Sequence, residues 1–261
     1  MTLPARLTNW LAARQGLKII AGLQTFAPER VRPVCNAAVA GGADLVDIAA
    51  DPQLVRLARS CGVTTVCVSA VEPERFPAVV AAGADLVEIG NFDCFYEQGR
   101  DFTGAEVLEL TRRSRALLAD VPLSVTVPHR LPLSEQQRLA EQLVAAGADL
   151  IQTEGGTSSQ PRSAGIQGLI EKAVPTLAAA HAISRAVRVP VLCASGLSAV
   201  TAPMAIAAGA AAVGVGRAVN RLEDPLAMVA VVRSLRQALT ASVTPSVAPT
   251  VAANPGSPIH R

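Results

Sequence analysis

The stretch Gly147-Ala148-Asp149-Leu150-Ile151-Gln152-Thr153 decides the fold, because close copies of it recur along the chain. The other copies are GADLVDI at 42–48, GADLVEI at 83–89 and GAAAVGV at 209–215. Each copy follows an alanine-rich helical pattern and leads into a run rich in β-branched residues. The repeat therefore predicts, at each copy, a helix end, a glycine stop and a buried strand.

A further strand is predicted before the first copy and between consecutive copies, at residues 18–22, 64–70, 123–127 and 189–194. Eight strands that alternate with helices predict an α/β protein built as a single (β/α)8 TIM barrel. Residues 1–17 have apolar side chains at helical spacing and predict an amphipathic helix at the bottom or side of the barrel. The barrel is predicted to span residues 18–239, and the Pro-, Ser- and Thr-rich residues 240–261 predict a disordered tail.

The composition fits one soluble, intracellular domain. The chain has 261 residues, half of them apolar, which is close to the roughly 250 residues usual for this barrel. A formal net charge of +2, only two lysines and 3% aromatic residues argue against a nucleic-acid partner. No apolar run is long enough to cross a membrane, and the N-terminus lacks the pattern of a secretory signal.

The five cysteines are scattered, without the close pairs of zinc or redox motifs, so no metal site is predicted. They are expected to be buried small hydrophobes in a reducing compartment. The alternative is a reactive thiol at Cys193, near a strand end, which would require a lowered pKa.

The repeat also predicts which side chains fill the barrel. Side chains alternate along a strand, and the predicted outward set is Val46, Ile48, Val87, Ile89, Ile151, Thr153, Val213 and Val215. Inward residues at equivalent positions of four alternate strands share one layer. From bottom to mouth the predicted layers are Leu45, Leu86, Leu150 and Ala212, then Asp47, Glu88, Gln152 and Gly214, then Ala49, Gly90, Glu154 and Gly216.

The inward carboxylates are candidate catalytic groups. Burying an unpaired charge is costly, so Asp47 and Glu88 require a ligand, water, a shared proton or a counter-charge such as Lys18. In the functional interpretation, Asp47, Glu88 or Glu154 acts as a general acid or base with a perturbed pKa. Glu88→Gln should then abolish turnover while ligand affinity stays within about tenfold.

Other polar residues are candidates for the same site. His129, just past the fifth strand, could transfer protons near neutral pH, although a loop histidine can also be incidental. Lys18, placed low in the barrel, is expected to be a counter-charge rather than a Schiff-base nucleophile. The predicted substrate contacts are Lys18, Asn91, Gln152 and Thr126.

Two long connections follow the fourth and sixth strands, at residues 90–104 and 154–168. Loops that follow the strands build the active-site face of this fold, so their length suggests a lid or clamp. The first connection contains four aromatic residues, Phe92, Phe95, Tyr96 and Phe102. We expect them to pack the loop onto the barrel rim, and closure over a bound molecule is the alternative.

The seventh and eighth predicted strands end in glycine-containing segments that suit an anion. Glycine lets backbone N–H groups approach closely, and barrel phosphate sites use the loops after these two strands. The predicted phosphate-binding residues are Ser195, Gly196, Gly214, Gly216 and Arg217. No cofactor is firmly implied, and flavin phosphate is an alternative occupant.

Seven stretches of the chain resemble a known family. They are KIIAGL (18–23), VDIAADPQLVRLA (46–58), CVSAVEPERF (67–76), VEIGNFDCFYEQG (87–99), LSVTVPH (123–129), IQTEGGTSS (151–159) and VLCASGLSAVTAPMAIAAGAAAVGVGRAVNRL (191–222). Over about residues 17–239, the chain resembles the hypothetical chloroplast open-reading-frame family twenty-three of cyanobacteria and algal plastids. The resemblance implies a TIM barrel, without an established reaction, in a cyanobacterial-type cytoplasm or a plastid stroma.

The end of the chain is more distantly similar to the ribulose-phosphate-binding barrels. Only their phosphate-loop roles carry over, because their catalytic signatures are not matched. We therefore expect a small phosphorylated metabolite as ligand, and isomerase, epimerase or lyase chemistry that requires proton transfer. The alternative is a non-catalytic barrel that binds a metabolite and acts through a protein partner. A homo-oligomer is also compatible with the sequence.

Overall fold

The computed structural model describes residues 5–155 and 159–241. It contains a closed barrel of eight parallel strands in chain order, in which the last strand pairs with the first. The strands are β1 Gly16–Gly22, β2 Leu45–Ala49, β3 Val66–Ala70, β4 Leu86–Ile89, β5 Leu123–Thr126, β6 Leu150–Gln152, β7 Val191–Ala194 and β8 Ala212–Val215. The prediction of a TIM barrel is confirmed.

Helices connect the strands around the outside of the barrel. They are α1 Ala5–Ala12, α2 Pro28–Gly41, α3 Pro52–Ser60, α4 Phe76–Ala81, α5 Asp93–Tyr96, α6 Gly104–Leu117, α7 Leu133–Ala145, α8 Gly165–Ala186, α9 Ala202–Ala207, α10 Arg217–Asn220 and α11 Pro225–Ala241, with a 3-10 turn at Pro73–Arg75. Within the described ranges, no helix combines the length and apolar character needed to cross a membrane. The last helix includes residues 240 and 241, which were assigned to the tail. The rest of that predicted tail, residues 242–261, lies outside the described residues.

The N-terminal helix closes the bottom of the barrel. It ends at Ala12, before the predicted limit at residue 17, because β1 already begins at Gly16. Leu7 and Leu11 are buried in one apolar cluster with the predicted bottom layer of the barrel, and Trp10 packs against it. A Cβ atom at Gly16 would lie 2.3 Å from the Trp10 ring, so the start of β1 requires glycine. The floor of the barrel is therefore apolar and sealed by α1.

The bottom layer predicted from the repeat is present. Leu45, Leu86, Leu150 and Ala212 share the bottom cluster with Cys67 and Leu192 from the intervening strands. The outward valines and isoleucines of the repeat belong to the separate core between barrel and helices. The outward Thr153 instead forms a 2.6 Å hydrogen bond with Thr176 of α8.

The glycines of the repeat end their helices as predicted. Gly42, Gly83, Gly147 and Gly209 have φ angles between 81° and 120°. Glycine enters this left-handed region without the steric cost of a Cβ atom. The chain can therefore turn at once from each helix into the following strand.

The aspartates of the repeat have a structural role that the sequence did not reveal. Oδ2 of Asp85 accepts a 2.7 Å hydrogen bond from the backbone N–H of Val66 and lies 2.7 Å from Nη2 of Arg59. We call such an arrangement an aspartate clamp, since it joins a helix arginine to the start of the preceding strand. The same arrangement joins Asp149 to Leu123 and Arg115, and Asp44 to Leu17 and Arg236.

The fourth copy of the repeat has Ala211 in place of the aspartate. There, Arg14 donates from the connection between α1 and β1 to the backbone oxygen of Ala210, at 3.3 Å. An arginine therefore ties this turn as well, without the carboxylate.

Candidate functional site

A buried ionic cluster occupies the middle of the barrel. Nζ of Lys18 lies 2.7 Å from Oε2 of Glu88 and 3.2 Å from Oδ2 of Asp47. It also donates to Oε1 of Gln152 at 3.0 Å. All four side chains are at most 1% exposed. Lys18 is thus in the position of a counter-charge, and we call these four residues the ionic cluster.

Hydroxyl groups complete the hydrogen bonds of the ionic cluster. Ser124 donates to Oε2 of Glu88 at 2.7 Å, and Ser69 donates to Oδ1 of Asp47 at 2.6 Å. Nε2 of Gln152 donates to Oε1 of Glu88 at 2.7 Å and to the hydroxyl of Thr126 at 3.1 Å. The buried polar groups therefore satisfy one another, as an apolar barrel interior requires.

The charges of the ionic cluster shift the pKa values of its members. Burial raises the pKa of Glu88 above its ordinary value, and Asp47 adds to this against the opposing effect of Lys18. Burial acts to lower the pKa of Lys18, but the neighbouring groups Asp47, Cys67 and Glu88 raise it above its ordinary value. A Schiff-base lysine needs an unprotonated amine. The structure therefore argues against that alternative for Lys18.

Asn91 covers the ionic cluster from the side of the barrel mouth. Its Nδ2 donates to Oδ2 of Asp47 at 2.9 Å and lies 3.4 Å from Oε1 of Glu88. Asn91 has a φ angle of 63°, in the left-handed region that asparagine tolerates better than most residues. The preceding Gly90 is required, because a Cβ atom there would lie 2.2 Å from the side chain of Thr126.

A second polar network surrounds Glu154, at the mouth of β6. Oε1 of Glu154 accepts a hydrogen bond from the Tyr96 hydroxyl at 2.6 Å and from the backbone N–H of His129 at 3.2 Å. Nδ1 of His129 lies 3.1 Å from the same oxygen, and the N–H of Phe92 donates to Oε2 at 3.1 Å. Burial raises the pKa of Glu154, and nearby Asp93 adds to this against the hydrogen bonds from His129 and Tyr96. We call Tyr96, His129, Glu154 and Asp93 the rim network.

Asp93 connects the rim network to the loop after β7. Its Oδ1 lies 3.8 Å from Nδ1 of His129, and its Oδ2 accepts a 2.8 Å hydrogen bond from the hydroxyl of Ser195. Asp93, His129 and Glu154 each have a ligand atom within 4.8 Å of the others, a donor set that suits a divalent cation. Oε1 of Glu154 already accepts hydrogen bonds from Tyr96 and His129, whereas Oε2 accepts one, from the backbone of Phe92.

A cavity of about 460 Å³ opens at the carboxyl ends of β1, β7 and β8. Its walls include most of the predicted phosphate-binding residues, namely Ser195, Gly196, Gly216 and Arg217. The opposite wall includes Asn91, Asp93 and Glu97, and further cations come from Arg30, Lys172 and Arg221. The predicted phosphate loops therefore share one cavity with Asn91.

The backbone of the phosphate loops has unusual angles. Ser195 and Gly196 have φ angles of 74° and 75°. A left-handed serine is uncommon, and such strain concentrates at functional sites. Arg217 lines the cavity and forms an ion pair with Glu97 at 2.5 Å. Gly214 lies deeper, where a Cβ atom would be 2.8 Å from Cβ of Ala194, so it packs the barrel wall and does not line the cavity.

The remaining predicted site residues lie beneath or beside this cavity. The four predicted catalytic residues do not line the cavity; they are Asp47, Glu88, Glu154 and His129. Asp93, which does line it, lies next to His129. The predicted substrate contacts Lys18, Gln152 and Thr126 do not line the cavity either. Residues 156–158 of the loop after β6 lie outside the described residues. Burial raises the pKa of Cys193 to about 11, which argues against the reactive-thiol alternative.

The aromatic residues after β4 pack onto the rim, which was the favoured expectation. Phe92 stacks on Phe102 with ring centroids 4.3 Å apart, and Phe95 meets Phe102 edge-on. Tyr96 was predicted only as part of this packing, yet its hydroxyl holds Glu154. Asp93, Lys172 and Asn220 were not predicted as site residues from the sequence. Only the position of Asp93 beside the aromatic residues offered a signal.

The chain matches a family described as a protein of unknown function, DUF561, over residues 3–244. An uncharacterized protein ycf23 of Pyropia yezoensis is 34% identical over 239 residues, which cover 92% of this chain and 88% of the relative. An uncharacterized protein ycf23 of Cyanophora paradoxa is 38% identical over 231 residues, or 88% of this chain and 95% of the relative.

The fold is similar to that of several solved barrels. Thiamine phosphate pyrophosphorylase from Pyrococcus furiosus has a TM-score of 0.56 and 19% identity, covering 88% of this chain and 98% of that one. A 3-hexulose-6-phosphate synthase has a TM-score of 0.58 and 17% identity, covering 85% and 99%. Wild-type GGGPS from Thermoplasma volcanium has a TM-score of 0.59 and 11% identity, covering 90% and 97%. These likenesses show the fold, and the sequence match shows that the chain belongs to the DUF561 family.

Proposed function

We propose that the protein is an enzyme that binds a small phosphorylated metabolite and catalyses isomerisation, epimerisation or lyase chemistry. The observation that carries the proposal is the shared cavity, which brings the loops after β7 and β8 together with Asn91 and Asp93. Its volume of about 460 Å³ lies within the usual range for small-molecule sites. Two of the solved neighbours are named for phosphorylated compounds, which supports the ligand class.

The phosphate is proposed to bind at Ser195, Gly196, Gly216 and Arg217. Consecutive left-handed residues such as Ser195 and Gly196 turn neighbouring N–H groups to one side, which suits an anion. Two positively charged side chains near this site could also contact the phosphate. Lys172 lines the cavity and has no ion-pair partner within residues 5–155 and 159–241, and Arg217 can exchange Glu97 for a phosphate oxygen.

Proton transfer is proposed to involve Glu154 and His129, with Asp93 as the group that reaches the cavity. Glu154 holds a proton to higher pH than an exposed glutamate, because burial raises its pKa. His129 contacts Glu154 directly, and Asp93 lies between His129 and Ser195. Glu154, His129 and Asp93 therefore form a path of titratable groups from the buried carboxyl to the cavity wall, in which the 3.8 Å step between Nδ1 of His129 and Oδ1 of Asp93 is longer than a hydrogen bond. Asp47 and Glu88 lack such a path through groups that exchange protons, since Asn91 lies between them and the cavity.

A second candidate function is metabolite binding without turnover, with the signal passed to a protein partner. The observation that favours it is the burial of every predicted catalytic carboxylate: Asp47, Glu88 and Glu154 are at most 3% exposed. Under this proposal, the ligand would bind saturably without product formation, and a partner would respond to the ligand in a pull-down.

The test is a thermal-shift screen with inorganic phosphate, phosphorylated sugars, pyridine and thiamine precursors, and flavin phosphate. A ligand that binds only the folded protein raises the melting temperature, by roughly 2.7 kcal/mol of stability at a hundredfold excess over Kd. Gly216→Asp should abolish the shift, because it places a carboxylate in the cavity wall, where the negative charge repels a phosphate.

The matched control is Gly104→Asp at the start of α6, where a Cβ atom makes only ordinary contacts and the cavity is not involved. This variant should keep the ligand shift. No shift with any phosphorylated compound would contradict the proposal. A hit that forms no product would favour the binding protein, and a yellow purified protein would identify flavin phosphate as the occupant.

A further inference from the structure

Two asparagines of the cavity hold their amides in fixed orientations, and the proposed function so far assigns a task to neither. Asn91 follows β4, and Asn220 ends the short helix α10 after β8. Both line the cavity. In each, the amide nitrogen is directed at groups that only accept hydrogen bonds, which determines where the amide oxygen points.

At Asn91, the acceptors are buried carboxyl groups. Nδ2 donates to Oδ2 of Asp47 at 2.9 Å and lies 3.4 Å from Oε1 of Glu88. A carboxylate cannot donate a hydrogen bond, so the amide cannot be turned around without placing two oxygens against each other. The amide oxygen of Asn91 therefore faces away from the ionic cluster, towards the cavity.

At Asn220, the acceptors are backbone carbonyls of β1. Nδ2 donates to the oxygen of Ile20 at 3.0 Å and to that of Ala21 at 3.2 Å. Backbone carbonyls are acceptors only, so they fix this amide in the same way. No described residue donates a hydrogen bond to either amide oxygen, of Asn91 or of Asn220. Two oriented acceptors thus remain in the wall of one cavity.

We propose that Asn91 and Asn220 select ligands that present hydroxyl groups, each accepting a hydrogen bond from one of them. The proposal rests on the proposed phosphate site, because it assigns the remainder of the same ligand. An oriented acceptor forms a hydrogen bond with a ligand hydroxyl group, and it forms none with a methylene group at the same position. The cavity lining includes no aromatic side chain from the described residues, so nothing there stacks on a planar heterocycle.

The two subsites lie within reach of one small molecule. Asp93 contacts Ser195 of the phosphate loop at 2.8 Å, and Asn91 is two residues before Asp93. Two residues span at most about 7 Å. Asn220 lies on the same side as the other phosphate loop, since a Cβ atom at Gly216 would be 3.6 Å from its Nδ2. The expected ligand class is a phosphorylated polyol or open-chain sugar.

In this proposal, the ionic cluster orients the side chain of Asn91. Asp47 does not line the cavity, yet it holds the amide of Asn91. Lys18 in turn holds Asp47 and Glu88 in place. Asp47 is therefore a positioning residue, which acts on the ligand through Asn91 and does not touch it.

The experiment compares probes that differ only in hydroxyl groups. Calorimetric titration would measure the affinity of glycerol 3-phosphate against propyl phosphate, and of ribitol 5-phosphate against pentyl phosphate, so that two chain lengths are covered. In the wild-type protein, the hydroxylated member of at least one pair should bind roughly 3- to 10-fold more tightly, the range of one or two modest hydrogen bonds.

Three variants test the assignment. Asn91→Gly, which keeps the left-handed backbone unstrained, and Asn220→Ala should each reduce that preference while the affinity for the alkyl phosphate stays within about twofold. Asp47→Ala should do the same, because it removes the acceptor that orients Asn91, whereas an asparagine at this position would keep an amide oxygen there. A merely structural role for Asp47 would weaken both probes equally. Asn9→Ala, on the exposed face of α1, is the matched control and should preserve the preference.

The outcomes separate the two proposals. If both members of each pair bind equally to the wild-type protein, the phosphate site stands and the hydroxyl-selecting role of the asparagines is overturned. If no probe binds, the proposed phosphate site itself fails. If the preference survives in Asn91→Gly and in Asn220→Ala, the hydroxyl groups bind elsewhere, and the assignment is wrong even though the ligand class is right.

Discussion

Burial controls the charge of Glu154. The carboxyl is 3% exposed, and burial raises its pKa with a further contribution from Asp93. The hydroxyl of Tyr96 and the backbone of His129 hold it in one position. A carboxyl group that is held in one position and has a raised pKa stays protonated to higher pH than an exposed one, as the proposed proton transfer requires.

The raised pKa of Glu154 should appear in the pH dependence of stability. Above about pH 4.3, where an unfolded glutamate ionises, the folded protein binds more protons than the unfolded chain until the pH passes the raised pKa. The free energy of unfolding should therefore fall as the pH rises through this window. Glu154→Gln should make the fall shallower, as measured by urea unfolding between about pH 5 and 8.

In Glu154→Gln, part of the fall of the free energy of unfolding with pH should remain, because the pKa of Glu88 is also raised. The control is Glu141→Gln on α7, an exposed position that should reproduce the wild-type slope. A variant and a wild type with the same slope would mean that Glu154 ionises at its ordinary pKa in the folded protein.

Residue by residue, the sequence predicted which polar groups lie inside the barrel but not which of them face a ligand. Strand alternation was enough to bring Asp47, Glu88 and Gln152 together. The cover provided by Asn91 depends on a left-handed backbone and on a contact 44 residues away in sequence, which no local pattern encodes. Asn220 was missed for the same reason, since its contacts lie 199 and 200 residues away.

The elements of the barrel are joined at their amino-terminal ends by the aspartate clamps. Each clamp satisfies a backbone N–H near the start of one strand and anchors an arginine of a surrounding helix. Arg115 shows how dense this anchoring is, because it also donates to the backbone oxygens of Gly147, Leu118, Ala119 and Val121. Helix, strand and turn are thus fixed by one pair of side chains.

Removing a clamp should destabilise the fold without affecting the cavity. Asp149→Ala leaves the N–H of Leu123 without its carboxylate acceptor and Arg115 without its ion pair. We expect the free energy of unfolding to fall by about 1–3 kcal/mol, the cost of an unsatisfied, partly buried donor. Urea unfolding would measure this. The control is Asp120→Ala, at an exposed position between α6 and β5, which should change stability by less than about 0.5 kcal/mol.

A loss in Asp149→Ala no greater than that of Asp120→Ala would show that the clamp contributes nothing measurable. The ends of the strands predicted between the repeat copies lie within about two residues of the observed ends, and glycine stops mark the helix ends before the repeat strands. The clamps themselves were not predicted, since no role was predicted for the repeated aspartate.

The whole molecule has two ends with different tasks. The amino-terminal end contains the apolar floor and α1, and the carboxyl-terminal end contains the cavity and the rim network. The ionic cluster lies between them. Repeat and strand count predicted this arrangement, since loops that follow the strands of a TIM barrel build its active-site face.

The floor should contribute strongly to global stability. Leu7→Ala removes a 1% exposed side chain from the bottom cluster and should reduce the free energy of unfolding by about 2–5 kcal/mol. The single tryptophan, Trp10, lies in the same cluster, so its fluorescence reports on the floor. Its unfolding transition should coincide with that seen by far-ultraviolet circular dichroism if α1 is an integral part of the barrel.

Asn9→Ala, on the exposed side of the same helix, is the control and should behave as wild type within about 0.5 kcal/mol. A fluorescence transition at lower urea than the circular-dichroism transition would instead show that α1 detaches first and that the barrel closes without it.

The aspartate clamps also bear on how such a barrel could be remodelled. Three of the four repeat copies carry the same joint at one end of the strands, while the segments at the other end differ from copy to copy. A unit of two strands is therefore suited to recombination, because the aspartate clamp would join it to the rest of the barrel. Libraries that exchange or randomise the segments after β4, β6 and β8 would vary ligand choice and leave the clamps intact, which makes this chain a practical scaffold for directed evolution.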